Sequence, residues 1–173
     1  GRRGRRSEDG RSAELSSEIA EMLKRYKSKD VGDLLLRVDV EPLDMLFTQA
    51  SIESQWGQSA VARYCHNIFG VHAATAAQKC SGHPILAAYP DFTGSIERYM
   101  LLLNTGSAFK KFRQIRGDLR VQSGEFGAIE SMSLVQGLLP YSERGQAYVD
   151  SIKSGIQSAH LGEVYREFIQ KIF

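Results

Sequence analysis

Residues 42–57 constrain this chain most. Pro42, Leu43, Met45, Leu46, Phe47, Ala50 and Ile52 form a mostly apolar segment, a pattern that fits a largely buried helix and so demands other elements packed around it. Pro42 suits a first helical turn, and Gly57 is a stop signal. The segment is followed at once by one carboxylate, Glu53, close to the only tryptophan, in Gln49-Ala50-Ser51-Ile52-Glu53-Ser54-Gln55-Trp56-Gly57-Gln58-Ser59. A glutamate placed there stands half in the core and half facing a ligand. Burial of that kind raises a carboxyl pKa, which a general acid needs near neutral pH. The alternative is a surface glutamate that merely precedes Trp56.

The run from Gln49 to Arg63, followed by Asn67-Ile68-Phe69-Gly70-Val71, resembles the glucosaminidase domain of the family 73 glycoside hydrolases. The pattern there is an alanine-rich helix, Glu-Ser-x-Trp-Gly-x-Ser, a small-residue helix with Arg, then Asn-Leu-Phe-Gly. Phe92 to Arg116 is similar to the segment after that family's hairpin. Leu138-Leu139-Pro140-Tyr141-Ser142-Glu143-Arg144-Gly145-Gln146-Ala147-Tyr148-Val149 looks like its closing tyrosine motif, in the Bax-type branch. Together the four motifs cover roughly residues 34–160, in order. The resemblance implies a mainly α, lysozyme-like fold with one small β-hairpin beside the active-site cleft, and a peptidoglycan hydrolase acting in the periplasm or outside the cell.

A chain of 173 residues is long enough to bury a good core. The net charge is +2, but Arg2, Arg3, Arg5, Arg6 and Arg11 against Glu8 and Asp9 put +3 in residues 1–12, leaving −1 for the rest. The basicity lies in a tail, which argues against a nucleic-acid groove. Residues 1–12 read as a disordered basic arm, a solvated tail or a contact for anionic wall polymer or membrane surface, and residues 13–173 as a single glucosaminidase-like domain. No apolar run reaches membrane-spanning length. No apolar stretch of signal-peptide type follows the arginines, and an opening glycine suits a trimmed or processed protein. Any targeting segment would thus lie outside this chain.

Leu15, Ile19, Met22, Leu23 and Tyr26 recur at helical spacing, and Val31 to Val38 begin a second short helix. Ser59 to Tyr64 predicts another helix and Asn67 to Gly70 a turn. Between Val71 and Phe92, Gly82, Pro84 and Pro90 punctuate an irregular stretch in which Ile85 to Tyr89 reads as one strand of a hairpin. Thr93 or Ser95 can cap the next helix. Phe109, Phe112 and Ile115 continue an apolar face with Lys110, Lys111, Arg113 and Arg116 opposite. Further helices are expected over Phe126 to Leu139, around Tyr148, Ile152 and Ile156, and from Leu161 to Ile172, seven or eight in all. His66, His72 and His83 match no compact metal motif, and nothing calls for a cofactor. Cys65 and Cys80 are fifteen apart. They are either free thiols or a disulfide, and the envelope location that the resemblance implies favours the bond.

Protonating a glycosidic oxygen requires an acid, and Glu53 is the candidate. Most glycosidases add a second carboxylate, which many family members carry on the hairpin, yet residues 71–88 hold no Asp or Glu. Asp91 reads first as a helix-start residue. The remaining route is assistance by the substrate's own N-acetyl group. The resemblance places Tyr141 facing Glu53, where its hydroxyl can orient that group or a water. Asn67 can bind a sugar acetamido group or the backbone of its turn. Trp56 is a candidate substrate contact, read first as buried beside Glu53 and second as a stacking platform. Tyr148 is a candidate contact on an otherwise core-facing helix. The expected function is cleavage between N-acetylglucosamine and N-acetylmuramic acid. The alternatives are a lytic transglycosylase on the same polymer and a non-catalytic wall-binding domain.

Overall fold

The computed structural model describes residues 2–123 and 129–158, with side chains from residue 13 onward. The described chain is mainly helical and divides into two units, Gly1–Asp39 and Val40–Phe173. In the first unit, helix α1 spans Arg2–Arg25 and so takes in the backbone expected as a disordered arm; arginine is a good helix former. The boundary expected after residue 12 therefore lies inside α1. Lys27, with φ of 52°, turns the chain, and Asp30 starts α2 (Val31–Arg37) by accepting from the Asp33 N–H at 2.7 Å.

The second unit holds α3 (Leu43–Ser54), α4 (Ala60–Cys65), α5 (Phe92–Thr105), α6 (Lys110–Ser123), α7 (Ser131–Leu134) and α8 (Gln146–Ser158), with 3-10 helices at Ala76–Gln78, Ser107–Phe109 and Val135–Tyr141. Its core includes Met45, Tyr99, Leu103, Phe112, Leu138 and Ile152, all fully buried. α3 packs on α8, and Gly155 makes that approach possible. A Cβ there would stand 2.5 Å from Thr48 Cγ2. α3 is not buried as its composition implies: Thr48 and Gln49 are inside while Phe47 is 49% exposed. Orientation, not hydropathy, decides which face is covered, and the buried polar groups are hydrogen-bonded. Thr48 Oγ1 donates to the Asp44 carbonyl at 2.7 Å.

Residues 71–88 form no strand, so the expected hairpin is not present as such. Two isolated antiparallel bridges stand in its place, His72 with Leu86 and Lys79 with Ala87. Ile85 and Ala87 pair with Ala73 and Val71, whereas Leu86 and Ala88 pair with Cys80 and Gln78. Residues 85–88 thus lie between two segments as a central strand does, but each pairing is only one bridge long. A Cys65–Cys80 disulfide, Cα–Cα 5.6 Å, closes this stretch onto the end of α4.

Two further expectations change. Asp91, not Thr93 or Ser95, caps α5, accepting from the Gly94 N–H at 2.8 Å. Arg113 and Arg116 are buried rather than solvated, because α5 ends against α6. Arg113 Nη1 donates to the carbonyls of Leu103 and Gly106 at 2.8 and 2.9 Å, and Arg116 Nη2 to Asn104 Oδ1 at 2.7 Å. The helix expected over Phe126 to Leu139 is, within the described residues, α7 followed by the 3-10 helix that ends at Tyr141. The one expected from Leu161 to Ile172 lies outside the described residues. No described helix is long and apolar enough to cross a membrane.

Candidate active site

Glu53 lies in the last turn of α3, four residues after Gln49 and therefore on the same helix face. The helix then stops abruptly. Gln55, Trp56 and Gly57 have φ of 53°, 57° and 77°, three left-handed residues in succession. For the two with side chains that conformation costs ~1–2 kcal/mol each. Ser54 offsets part of this by donating to the Ala50 carbonyl at 2.5 Å and accepting from the Gly57 N–H at 2.8 Å. Strain held in place this way gathers at functional sites. It also turns Trp56 outward, 62% exposed, so the expectation of a tryptophan buried beside Glu53 is not met.

The turn at residues 67–70 closes against Glu53. Asn67 is buried, and its side chain is committed to backbone. Nδ2 donates to the carbonyls of Val71 and Ala87 at 2.8 and 2.9 Å, and Oδ1 accepts from the Val71 N–H at 3.1 Å. Of its two readings the structure takes the turn, which leaves neither amide hydrogen for a sugar. Ser95 Oγ accepts from the Ile68 N–H at 3.2 Å and ties the turn to α5. Gly70 has φ of +65°, and a Cβ on it would meet Glu53 Oε2 at 3.2 Å. Glycine is needed here twice, for conformation and for space.

Tyr141 donates to the Phe69 carbonyl at 2.6 Å. Its ring stacks on Tyr148 with centroids 5.6 Å apart. Its single proton is thus used on the turn beside Glu53, not offered to a ligand. Tyr148 is 1% exposed, which removes it as a direct substrate contact; its oxygen accepts from Gln49 Nε2 at 3.0 Å, and its hydroxyl acts on the neighbouring Glu53 carboxyl. Burial raises the Glu53 pKa above the ordinary carboxyl value, against the opposing pull of the Tyr148 hydroxyl and the Arg144 charge. The negative end of α3 works in the same direction as burial. Gln49, Gly70 and Arg144 were in the quoted motifs without a role. The spacing of Gln49 four before Glu53 was the signal available for the first.

Two outcomes follow. Asn67→Ala leaves the Val71 N–H and the Ala87 carbonyl without partners, while the Val71 carbonyl keeps the Ala87 N–H, and is expected to lower stability by ~2–4 kcal/mol, seen as an earlier thermal melt. Gly70→Ala forces a strained φ and crowds Glu53. Misplacing a reacting group by a fraction of an ångström is expected to lower kcat by about tenfold, measured on whatever substrate the wild type turns over.

The whole constellation falls within a region matched by a protein-family model. Residues 28–161 match the glucosaminidase model, described as mannosyl-glycoprotein endo-beta-N-acetylglucosaminidase. The chain is 32% identical over 142 residues to Protein bax of Escherichia coli (strain K12), covering 75% of this chain and 50% of that protein, so it spans about half that relative's length. Among solved structures, a C-terminally truncated glycoside hydrolase domain from Salmonella typhimurium FlgJ aligns over 82% of this chain and 97% of its own, at 18% identity and a TM-score of 0.49. The family-model match extends from the start of α2, through α3 with Glu53 and the turn at Gly70, to the end of α8, and on it the chain belongs to the glucosaminidase family of glycoside hydrolases.

Proposed function

We propose that this chain hydrolyses peptidoglycan at the β-1,4 bond between N-acetylglucosamine and N-acetylmuramic acid, with Glu53 as general acid. The observation that carries the reading is a half-buried carboxyl in the last turn of α3, closed in by the Gly70 turn, whose burial raises its pKa. A raised pKa lets a carboxyl keep its proton to higher pH, for transfer to the departing glycosidic oxygen. The groups that act on Glu53 are Tyr148 and Arg144, and Asp91 is engaged as a helix cap. This supports a mechanism in which the substrate's N-acetyl carbonyl attacks the anomeric carbon as Glu53 protonates the leaving group, water then opening the cyclic intermediate with Glu53 as base. Tyr141 serves by holding the Phe69–Gly70 backbone against the acid. Trp56, exposed just past Glu53, offers an aromatic face for a sugar ring.

In this reading the fold is lysozyme-like, the Val40–Phe173 unit carries the chemistry, and the place of action is the periplasm or the cell exterior, where the Cys65–Cys80 bond would persist. The test is digestion of purified peptidoglycan followed by borohydride reduction and mass spectrometry. Reducible N-acetylglucosamine ends are expected. Anhydro-N-acetylmuramic ends would replace the hydrolase by a transglycosylase, and glycan binding without any new ends would replace it by a binding domain.

A further inference from the structure

Beneath Glu53 runs a line of buried polar side chains that the proposed chemistry does not use. The Tyr99 hydroxyl lies 2.9 Å from Glu41 Oε2 and in short contact with Gln49 Oε1. Gln49 Nε2 donates to the Tyr148 oxygen at 3.0 Å, and Glu53, one turn past Gln49 on the same face of α3, is the carboxyl on which the Tyr148 hydroxyl acts. A phenol has one proton. The Gln49 oxygen can only accept, so the Tyr99 proton goes there, and the bond to Glu41 needs a proton on Glu41. With Gln49 Nε2 feeding the Tyr148 oxygen, the Tyr148 proton is left for Glu53. Every bond in the line then points the same way.

We propose that Glu41 is a protonated positioning residue at the head of a one-way hydrogen-bond relay, Glu41 to Tyr99 to Gln49 to Tyr148 to Glu53, that decides which oxygen of Glu53 carries its proton. Tyr148 donates to one oxygen of Glu53, so the acid's own proton resides on the other, free for a leaving group. An ionised Glu41 would reverse the line. Tyr99 would turn its proton to the anion, and the Gln49 amide would turn over. Tyr148 would donate to the Gln49 carbonyl and present a lone pair to Glu53, drawing the acid's proton inward.

The surroundings of Glu41 favour the protonated form. It is 3% exposed, and its Oε1 has no hydrogen-bond partner; an anion with a bare oxygen in a core is costly, whereas a neutral acid is much less so. The groups facing it are Tyr99 from α5, Arg116 from α6 and Asp44 from α3. Desolvation pushes its pKa up to about 8. The Tyr99 bond and the Arg116 charge oppose this, and Asp44 adds to it.

The relay is a statement about geometry; its catalytic consequence rests on Glu53 being the acid, so the test has arms of both kinds. The first compares melting temperature against pH for the full chain and Glu41→Gln. A carboxyl whose pKa is 4.5 unfolded and about 8 folded contributes stability that is whole below pH 4.5 and is lost as pH rises towards 8. The wild type should therefore lose melting temperature across that window relative to the variant, and parallel curves would overturn a protonated Glu41. The second arm follows Glu53 by carbon NMR in Tyr99→Phe, which keeps the ring and breaks the line. With the Tyr148 proton released to Gln49, the Glu53 anion loses a donor and its midpoint moves up; an unmoved midpoint would overturn the relay.

On peptidoglycan, Tyr99→Phe should lower kcat about tenfold with KM held, while Glu41→Gln, whose amide still donates to Tyr99, should stay within about threefold of wild type. A loss in Glu41→Gln as deep as that in Glu53→Gln would make Glu41 itself a catalytic acid and overturn the positioning role. Absence of turnover in the wild type would count against the hydrolase reading, and the melting and NMR arms would still decide the relay.

Discussion

Glu53→Gln is expected to lower kcat on peptidoglycan by about a thousandfold, the middle of the range for losing a general acid, with an unchanged melt. Gln fills the same space and still accepts from Tyr148, but it has no acidic proton to give. The wild-type rate should fall as pH rises through the Glu53 pKa, which burial has moved up, because the reaction needs the protonated form. Tyr148→Phe removes the donor that stabilises the Glu53 anion. It should therefore move the alkaline limb to higher pH while lowering kcat, and a limb that stays in place would argue against Glu53 as the titrating group. A Glu53→Gln protein that retained a tenth or more of wild-type activity would remove Glu53 from the mechanism.

The second large effect is on stability. Removing the Cys65–Cys80 bond, as Cys65→Ser with Cys80→Ser or by reductant, is expected to cost ~3 kcal/mol for a fifteen-residue loop. In a chain of this length that is about 6–12 °C of melting temperature. Residues 71–88 are held by alternating single bridges, not by a ladder, so the covalent closure carries more of the order here than it would in a regular hairpin. The loop also contains Gly70, so activity should become more sensitive to temperature than in the wild type. Coincident melts with and without reductant would show that the bond adds nothing.

The helices of residues 13–65 are legible because their signals are local: apolar residues at helical spacing, Pro42 in a first turn and Gly57 as a stop; that Asp30 and Ser59 cap two of them came from the structure. The hairpin expected around Ile85 to Tyr89 is reduced to single bridges, because how far a pairing runs depends on the partner segment and not on the strand's own residues. Spacing puts Arg113 and Arg116 opposite the apolar face of α6, and the carbonyls at the end of α5 and Asn104 are what take them inside. From sequence Asn67 has two roles that use the same atoms, and only the position of the Val71 and Ala87 backbone chooses between them.

By itself the sequence determined that this is a mainly helical chain with one carboxylate set at the end of its most apolar helix, next to a glycine turn and a tryptophan. Those are properties of neighbours in the chain, where spacing and residue type suffice. Only the tertiary structure decided that Trp56 faces outward, that Tyr141 serves the turn, and that Glu41, Tyr99, Gln49 and Tyr148 line up beneath Glu53. These depend on groups up to 99 positions apart, such as Gln49 and Tyr148. The direction of a hydrogen bond between such groups is set by how many protons a buried cluster holds, a quantity that no single stretch of sequence contains.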